Sequence, residues 1–471
     1  MNEPLAAAPR PAPQPALSVF DTVMITVGIV IGAGIFKTPP LVAAATGSPE
    51  LMLLAWLLGG VLSLVGALCY AELASAYPHA GGDYHFLTRA FGRDASFLFA
   101  WARVAVITTG SVALLAFVLG DYLSRVVRLG PHSAAVYAAI TVVALTAMNV
   151  TGLRLSSRVQ NVLTLLQVAG LGLVAVAGWL AASEPLVAGE GPTVVGRATP
   201  VFGLAMVFVL LTYGGWNEAA YVSAEVRGGS RAIVRALLIS LLVITVAYVG
   251  FVASTLHGLG FAGLANSEAV GADVAQAAFG PLGAQLVGAI VGVAALTSIN
   301  ATMIVGARSN YALGRDWPAL DSLARWDEGR NTPVVALLLQ GTIALALVGF
   351  GALQQDGFAA MVEFTAPVFW FFFMLTGVAL FVLRRREGPA APRPFRVPLY
   401  PWLPAVFVAT CAYLFYSSVA YAHSRDAVHV CLYVMAAGAA VWLVTRALQA
   451  ARSSPAPGDP VPCESGVSQE R

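Results

Sequence analysis

The groups best placed to do chemistry in this chain belong to the backbone. The run GIVIGAGIFKTPP (Gly28–Pro40) puts Gly28, Gly32 and Gly34 within seven residues, then Lys37, Pro39 and Pro40, inside an otherwise apolar stretch. A second run, LLTYGGWNEAAYVSAE (Leu210–Glu225), sets Gly214 beside Gly215 in similar surroundings. Glycine permits the dihedrals that end a helix and lets a ligand approach the main chain closely. Past the first break, a helix restarting near Gly34 would offer free N–H groups and the positive end of its dipole, a setting for a carboxylate. Before it, a helix ending around Ile29–Ile31 leaves carbonyl groups that suit an ammonium. Donors on one side and acceptors on the other fit a zwitterion, so an α-amino acid is the expected ligand. Either run alone reads equally well as close helix packing, since glycine is common at membrane helix contacts.

Membrane-spanning helices must carry these runs. The chain has 471 residues, 58% hydrophobic and 11% charged, with a mean hydropathy of +0.78. Soluble domains carry about 25% charged residues. Runs long enough to cross a hydrocarbon core about 30 Å thick are predicted at 19–46, 51–76, 96–122, 134–151, 158–182, 200–224, 233–255, 282–312, 333–351, 359–383, 401–421 and 426–449. The expected fold class is an all-α integral membrane protein with twelve transmembrane helices. The breaks fall in spans 1 and 6, five spans apart, so the two segments cross in opposite directions. That is the trace of an inverted 5+5 repeat, with discontinuous helices 1 and 6 marking a transporter's site. The halves are residues 18–182 and 200–383, followed by two accessory helices at 401–449, in one transporter domain over 18–450. Residues 1–17 and 451–471 are rich in Pro, Ala and Ser and read as disordered tails. The connection at 256–281 has room for a short helix or two, and the aromatic segment 77–95 is expected along the membrane surface.

With the N-terminus inside, 20 of the 26 Lys and Arg residues fall in inside loops and tails and 4 in outside loops, while Lys37 and Arg103 lie within spans. This bias follows the positive-inside rule and predicts both termini in the cytoplasm and a multi-pass location in the plasma membrane. The net charge of +2 marks a membrane face, and nothing points to nucleic acid. Cys69, Cys411 and Cys431 fall in spans and Cys463 in the tail, so no external disulfide is expected. The six histidines stand at loops or span ends in no metal-ligand spacing; neither a metal nor a cofactor is expected. GAGIFKTPP lacks the Gly-Lys-Ser/Thr ending of a phosphate loop. No catalytic cluster lies within the spans and no loop holds a folded domain, which argues against an enzyme or a receptor.

Six motifs in order also carry a resemblance: GIVIGAGIF, CYAELASAYPHAGGDYHFL (69–87), RVQNVLTLLQV (158–168), TYGGWNEAAYVSAEVR (212–227), SNYALGRD (309–316) and PFRVPLYPWLPA (394–405). Over roughly residues 18–450 the chain resembles the amino acid–polyamine–organocation superfamily, in particular the L-type amino acid transporters and their bacterial relatives. The resemblance implies a leucine-transporter-like fold and an amino acid permease, secondary active or exchange-type, working by alternating access. It places a substrate carboxylate on the backbone at Ala33, Gly34 and Ile35, beside Gly32. It directs the amino group to carbonyls near Ile29, Val30 and Leu210, with Thr212, Tyr213, Gly214 and Gly215 forming the second break. The rival within the same fold is a permease for polyamines or other organic cations, which would favour acidic groups in the site; Glu218 is the near candidate.

Two departures from the family pattern matter. L-type members typically hold a gating phenylalanine two positions before the tyrosine of the second break, and here that position is Leu211. Many relatives carry a lysine, proposed to couple transport to protons, where this chain has Gln167. An amide has no proton to release near neutral pH, so exchange or facilitated diffusion is favoured, unless Glu72, Glu218 or a histidine serves instead. Ser298 with span 1 carbonyls would supply a few of the oxygen ligands sodium wants. In animal relatives a heavy chain attaches through a cysteine between spans 3 and 4; residues 123–133 have none, so no disulfide-linked partner is expected.

Arg103 lies about 10 Å into span 3 at 1.5 Å per residue. It either snorkels to the interface or pairs with an acid such as Glu72 in an inner gate. Lys37 sits at the outer interface or draws anions into an outer vestibule. Ser298 and Asn300 either line the site or bridge helices.

Overall fold

The computed structural model describes residues 13–181, 202–267, 269–352, 357–388, 391–423 and 428–453. Most of both expected tails, residues 1–12 and 454–471, lies outside these. Long apolar stretches without interior breakers wind into helices, because a buried or lipid-facing backbone must satisfy its own hydrogen bonds. Their starts follow local chemistry. Ser18 caps α1 (Val19–Val30) in a reciprocal box with Asp21. Ser48 caps α3 (Pro49–Ala76), with proline in its first turn. Between them α2 (Gly34–Thr46) continues the first span at a 50° bend.

The remaining elements follow in order. They are α4 (Asp83–Phe91), α5 (Arg93–Ala102), a π-helical turn over Arg103–Ile107, and α6 (Thr108–Val126). After α7 (Ser133–Thr151) and α8 (Leu153–Leu180) come α9 (Phe202–Tyr213) and a 3₁₀ segment over Trp216–Glu225. The second half holds α10 (Gly229–Ala265), α11 (Val270–Phe279), α12 (Pro281–Asp316), α13 (Val334–Gly351), α14 (Gly357–Glu387), α15 (Trp402–His423) and α16 (Val428–Ser453). Among the described residues nine helices are long and apolar enough to cross a membrane, ten if the α1–α2 pair is one span. Expected span 6 is instead α9 plus the 3₁₀ segment, and expected span 12 corresponds to α16, whose apolar stretch Met435–Ala447 is short. The connection 256–281 holds the kinked end of α10, with Gly260 non-helical, and α11.

One face of the segment 77–95 packs against protein. Within α4, Asp83, Tyr84 and Phe86 are buried, and the Tyr84 hydroxyl donates to Asp316 on α12 at 2.8 Å. The amphipathic face that suggested a lipid surface is covered by protein helices. The N-terminal tail also ends earlier than expected: Leu17 is buried, and the N–H groups of Ala16 and Leu17 both donate to the Glu225 carbonyl at 2.9 Å. An aromatic cluster of Tyr70, Trp216, Phe373 and Phe407 packs α3, the 3₁₀ segment, α14 and α15 together, with ring centroids 5.1–6.3 Å apart. Outward faces stay apolar, as Leu54, Leu57, Leu165, Leu242 and Val246 show. Such faces suit hydrocarbon, where lipid-exposed leucine carries no penalty.

Candidate functional site

The two glycine runs do break their helices, and the breaks meet. Across the first, Ile31 N–H donates to Val27, Gly32 N–H to Val30 and Phe36 N–H to Ala33. Among the described residues no hydrogen bond is donated by the N–H of Ala33, Gly34 or Ile35. At the second, Gly214 N–H turns to the Leu211 carbonyl at 3.2 Å, one residue short of an α-helical partner. Gly215 follows with a φ of +110°, a left-handed value that glycine adopts without strain. A Cβ there would stand 2.7 Å from Ile29 Cγ2. Gly28 is pressed harder, since a Cβ on it would lie 2.3 Å from Gln160 Nε2 and 2.6 Å from Thr164 Oγ1.

Tyr248 on α10 joins the breaks. Its hydroxyl lies 2.6 Å from the Val30 carbonyl oxygen and 3.1 Å from that of Thr212. Thr212 Oγ1 donates to Thr38 Oγ1 at 2.9 Å, a second tie between α9 and α2. Nothing in the apolar stretch around Tyr248 singles it out in the sequence. The tie also changes one expectation: the Val30 carbonyl is not free for an ammonium, because Gly32 N–H and the Tyr248 hydroxyl already occupy it. The Ile29 and Leu210 carbonyls are less engaged; the former lies 3.4 Å from Ser298 Oγ.

Between the breaks lies a cavity of about 260 Å³. Ile29, Val30, Gly32, Ala33, Gly34, Leu211, Thr212, Gly214, Gly215 and Ser298 line it. Its other walls come from residues for which the sequence held no signal: Ile107, Thr108, Ser111 and Leu115 next to or within α6, Thr302 on α12, and Phe369 and Trp370 on α14. Leu211 faces this space and is 43% exposed. Ile35, Leu210, Tyr213, Gln167, Arg103, Glu72 and Asn300 are not among the lining residues. Tyr213 is fully buried, with its hydroxyl donating to the Trp56 carbonyl at 3.1 Å.

Several single residues take partners other than those expected. Arg103 neither snorkels nor meets Glu72. It holds Glu218 in a two-pronged pair, donates from Nε to Ser309 Oγ at 3.1 Å, and lies 3.9 Å from the centre of the Tyr221 ring. Burial forces this choice: a guanidinium 1% exposed needs a carboxylate within reach. Glu218 is the one ionisable residue among those lining the cavity, and Arg103 holds it from behind that wall. The π turn at Arg103–Ile107 sets this geometry. The Thr108 and Thr109 hydroxyls donate to carbonyls five residues back, at 2.8 Å each, and such turns concentrate at functional sites.

Glu72 is instead clamped by Arg384 and Arg393, with Val397 N–H donating to it at 2.7 Å. Asn300 bridges helices: Asn149 Nδ2 donates to its Oδ1, and its own Nδ2 donates to Gln160 Oε1, both at 2.8 Å. Ser298 donates to the Gly28 carbonyl at 2.9 Å and also lines the cavity. Gln167 is buried on the α8 face that carries Gln160 and Thr164, and its amide has no partner among the described residues.

Beyond Glu218, away from the cavity, buried polar pairs continue. The Tyr221 hydroxyl donates to Asp83 at 2.9 Å, and Arg308 pairs with Glu225 through both its Nε and Nη2. Burial pushes the Asp83 carboxyl up to about 6. The strap Ala16–Leu17 closes over Glu225, and Arg227 N–H donates back to the Leu17 carbonyl at 2.7 Å.

Residues 17–442 match the family described as amino acid permease. Among relatives, the chain is 28% identical over 407 residues to the b(0,+)-type amino acid transporter 1 of Mus musculus, covering 85% of this chain and 82% of the relative. It is 26% identical over 388 residues to the serine/threonine exchanger SteT of Bacillus subtilis, covering 82% and 86%. It is 29% identical over 407 residues to the large neutral amino acids transporter small subunit 2 of Mus musculus, covering 83% and 73%. The family match runs through both helix breaks and the residues of the cavity between them, and the chain belongs to the amino acid permease family.

Proposed function

We propose that this permease holds an α-amino acid between its two helix breaks and exchanges it across the membrane by alternating access. The carrying observation is that the N–H groups of Ala33, Gly34 and Ile35 donate no bond among the described residues, and that Ala33 and Gly34 line a cavity that the second break also lines. The substrate carboxylate takes those N–H groups. Its ammonium takes the Ile29 carbonyl, which the cavity reaches. The side chain lies toward Thr108, Ser111, Thr302, Leu211 and the rings of Phe369 and Trp370, a mixed wall that admits small polar and medium apolar groups. A dedicated carrier of organic cations is disfavoured, because the one carboxylate at the cavity is already matched by Arg103.

The same reading gives twelve spans in a leucine-transporter-like 5+5 arrangement, with α1–α2 and α9 with its 3₁₀ segment as corresponding broken helices. Both termini are cytoplasmic on the charge bias, in the plasma membrane. The layers of Arg103–Glu218, Tyr221–Asp83, Arg308–Glu225 and the Leu17 strap close the inner side, and they must part when the cavity opens inward. Gln167 supports exchange over proton symport, and the absence of cysteine from residues 123–133 supports working without a disulfide-linked partner. The substrates in the relatives' names, large neutral amino acids and serine or threonine, fit the wall chemistry.

Proteoliposomes loaded with unlabelled amino acids and challenged with a labelled panel test this reading. Uptake should require internal amino acid, and Gly34→Val should abolish it. Uptake of polyamines without uptake of any amino acid would sink it.

A further inference from the structure

A second cavity lies at the arginine-rich end of α14, away from the helix breaks. It encloses about 310 Å³ and is lined by Arg384, Arg385, Gly388, Arg393, Arg396 and Tyr400. Four guanidinium groups therefore meet around one space, and no acid is among the lining residues. Glu72, fully buried, stands behind it and takes Arg384 and Arg393, while Glu387 takes Arg393 and Arg89. These two carboxylates fix Arg384 and Arg393 in place, and the four lining arginines outnumber them. Arg396 donates to the Ala391 carbonyl. Arg385 is exposed and has no partner among the described residues.

The surroundings set the depth of this cavity. Leu399 is 72% exposed and Trp402 73% exposed. Tyr400 stacks on Arg384, 4.0 Å from ring centre to guanidinium. Exposed tryptophan and tyrosine beside a spanning helix belong at headgroup level in a bilayer. The cavity thus joins a cluster of guanidinium groups to an apolar rim at the membrane surface.

We propose that this cavity binds the phosphate headgroup of an anionic phospholipid, with Leu399 and Trp402 against its acyl chains. Guanidinium forks match phosphate oxygens two at a time, and basic pockets between helices on the cytoplasmic side take anionic headgroups. Free phosphate shares the headgroup chemistry but has nothing to place on the apolar rim, so the lipid is the occupant.

Native mass spectrometry of the full chain in detergent, with added phosphatidylglycerol or phosphatidylcholine, tests this. Phosphatidylglycerol should be retained and phosphatidylcholine lost. Arg385→Ala should weaken retention on the order of fivefold, and R385A/R396A by a further similar factor. The double variant R154A/R158A, which removes exposed arginines elsewhere on the same face, should retain lipid as the wild type does. Unchanged retention in R385A/R396A overturns the site. Equal loss in both double variants also overturns it, since bulk charge would then be responsible. Thermal stabilisation by inorganic phosphate equal to that by phosphatidylglycerol would assign the cavity to a free anion instead. Arg385→Ala removes no contact made among the described residues, so its effect stands even if the double variant misfolds.

Discussion

Arg103 Nη1 lies 2.9 Å from Glu218 Oε1 while its second nitrogen meets Oε2, so the carboxylate that reaches the cavity arrives already neutralised. Both side chains are almost entirely buried, at 2% and 11% exposure. This pair combines two roles that the sequence leaves separate: an intramembrane charge in span 3 and an acid just past the second break. Glu218 lines the cavity and Arg103 holds it from behind, next to the buried Tyr221–Asp83 and Arg308–Glu225 pairs.

Breaking the pair from one side should cost more than removing it whole. Arg103→Met leaves a buried carboxylate without its cation, a loss of about 3–5 kcal/mol, whereas the double change R103M/E218M should be close to neutral in stability. Thermal unfolding of the purified variants measures this, and a double variant no better than Arg103→Met would refute the coupling. Transport by the double variant should fall, because the inner closure loses its charged contact.

Glycines at the breaks should resist even a methyl group. Gly28→Ala drives a Cβ into Gln160 and Thr164, and Gly215→Ala combines a left-handed φ with a 2.7 Å approach to Ile29. Each is expected to destabilise by about 1–3 kcal/mol. Gly32→Ala has only Ser298 Oγ at 3.4 Å within close range and should fold, so its uptake rate is the internal comparison.

Tyr248→Phe removes a hydroxyl that touches both breaks. One hydrogen bond is worth about 0.5–1.5 kcal/mol, so substrate affinity should fall by roughly two- to tenfold, with expression unchanged. Competition binding on the two proteins reads the difference directly. An unaltered affinity would mean the breaks hold their relative position without this tie.

The wild type should exchange amino acids at the same rate with and without an inward proton gradient, because the Gln167 amide does not titrate. Gln167→Lys puts a titratable group on a buried face with an unsatisfied amide site, and uptake should then depend on pH. Gradient-stimulated uptake by the wild type would reassign coupling to another group.

Acid should loosen the segment between α3 and α4. His79 and His85 stack with ring centroids 4.2 Å apart, and His79 Nδ1 accepts the Gly81 N–H at 2.9 Å. Burial, then its neighbours His79 and Arg89, push His85 down to about 3, and burial lowers His79 as well. The folded chain therefore stays unprotonated there while the unfolded chain takes up protons below its ordinary histidine value, so stability falls as pH drops below about 6.5. The thermal midpoint should decrease less between pH 7 and pH 5 in H79Q/H85Q than in the wild type.

The membrane class, most of the spans, and both helix breaks were legible in the sequence because each rests on local chemistry. Twenty apolar residues have one stable form in lipid, and Gly32, Gly34, Gly214 and Gly215 weaken a helix wherever it packs. Partner choice was not legible. Whether Arg103 meets Glu72 or Glu218, whether Asn300 faces ligand or Gln160, and whether the Val30 carbonyl is free depend on which helix faces meet, a relation between residues more than a hundred positions apart in each case. The burial of Tyr84 and Phe86 within 77–95 was not legible for the same reason, since a helix's apolar face suits lipid and protein alike. Local propensity determined where the chain breaks; only the packing of α10, α12 and α14 decided what surrounds the breaks, because burial compels each charge and carbonyl to take the nearest partner that the fold supplies.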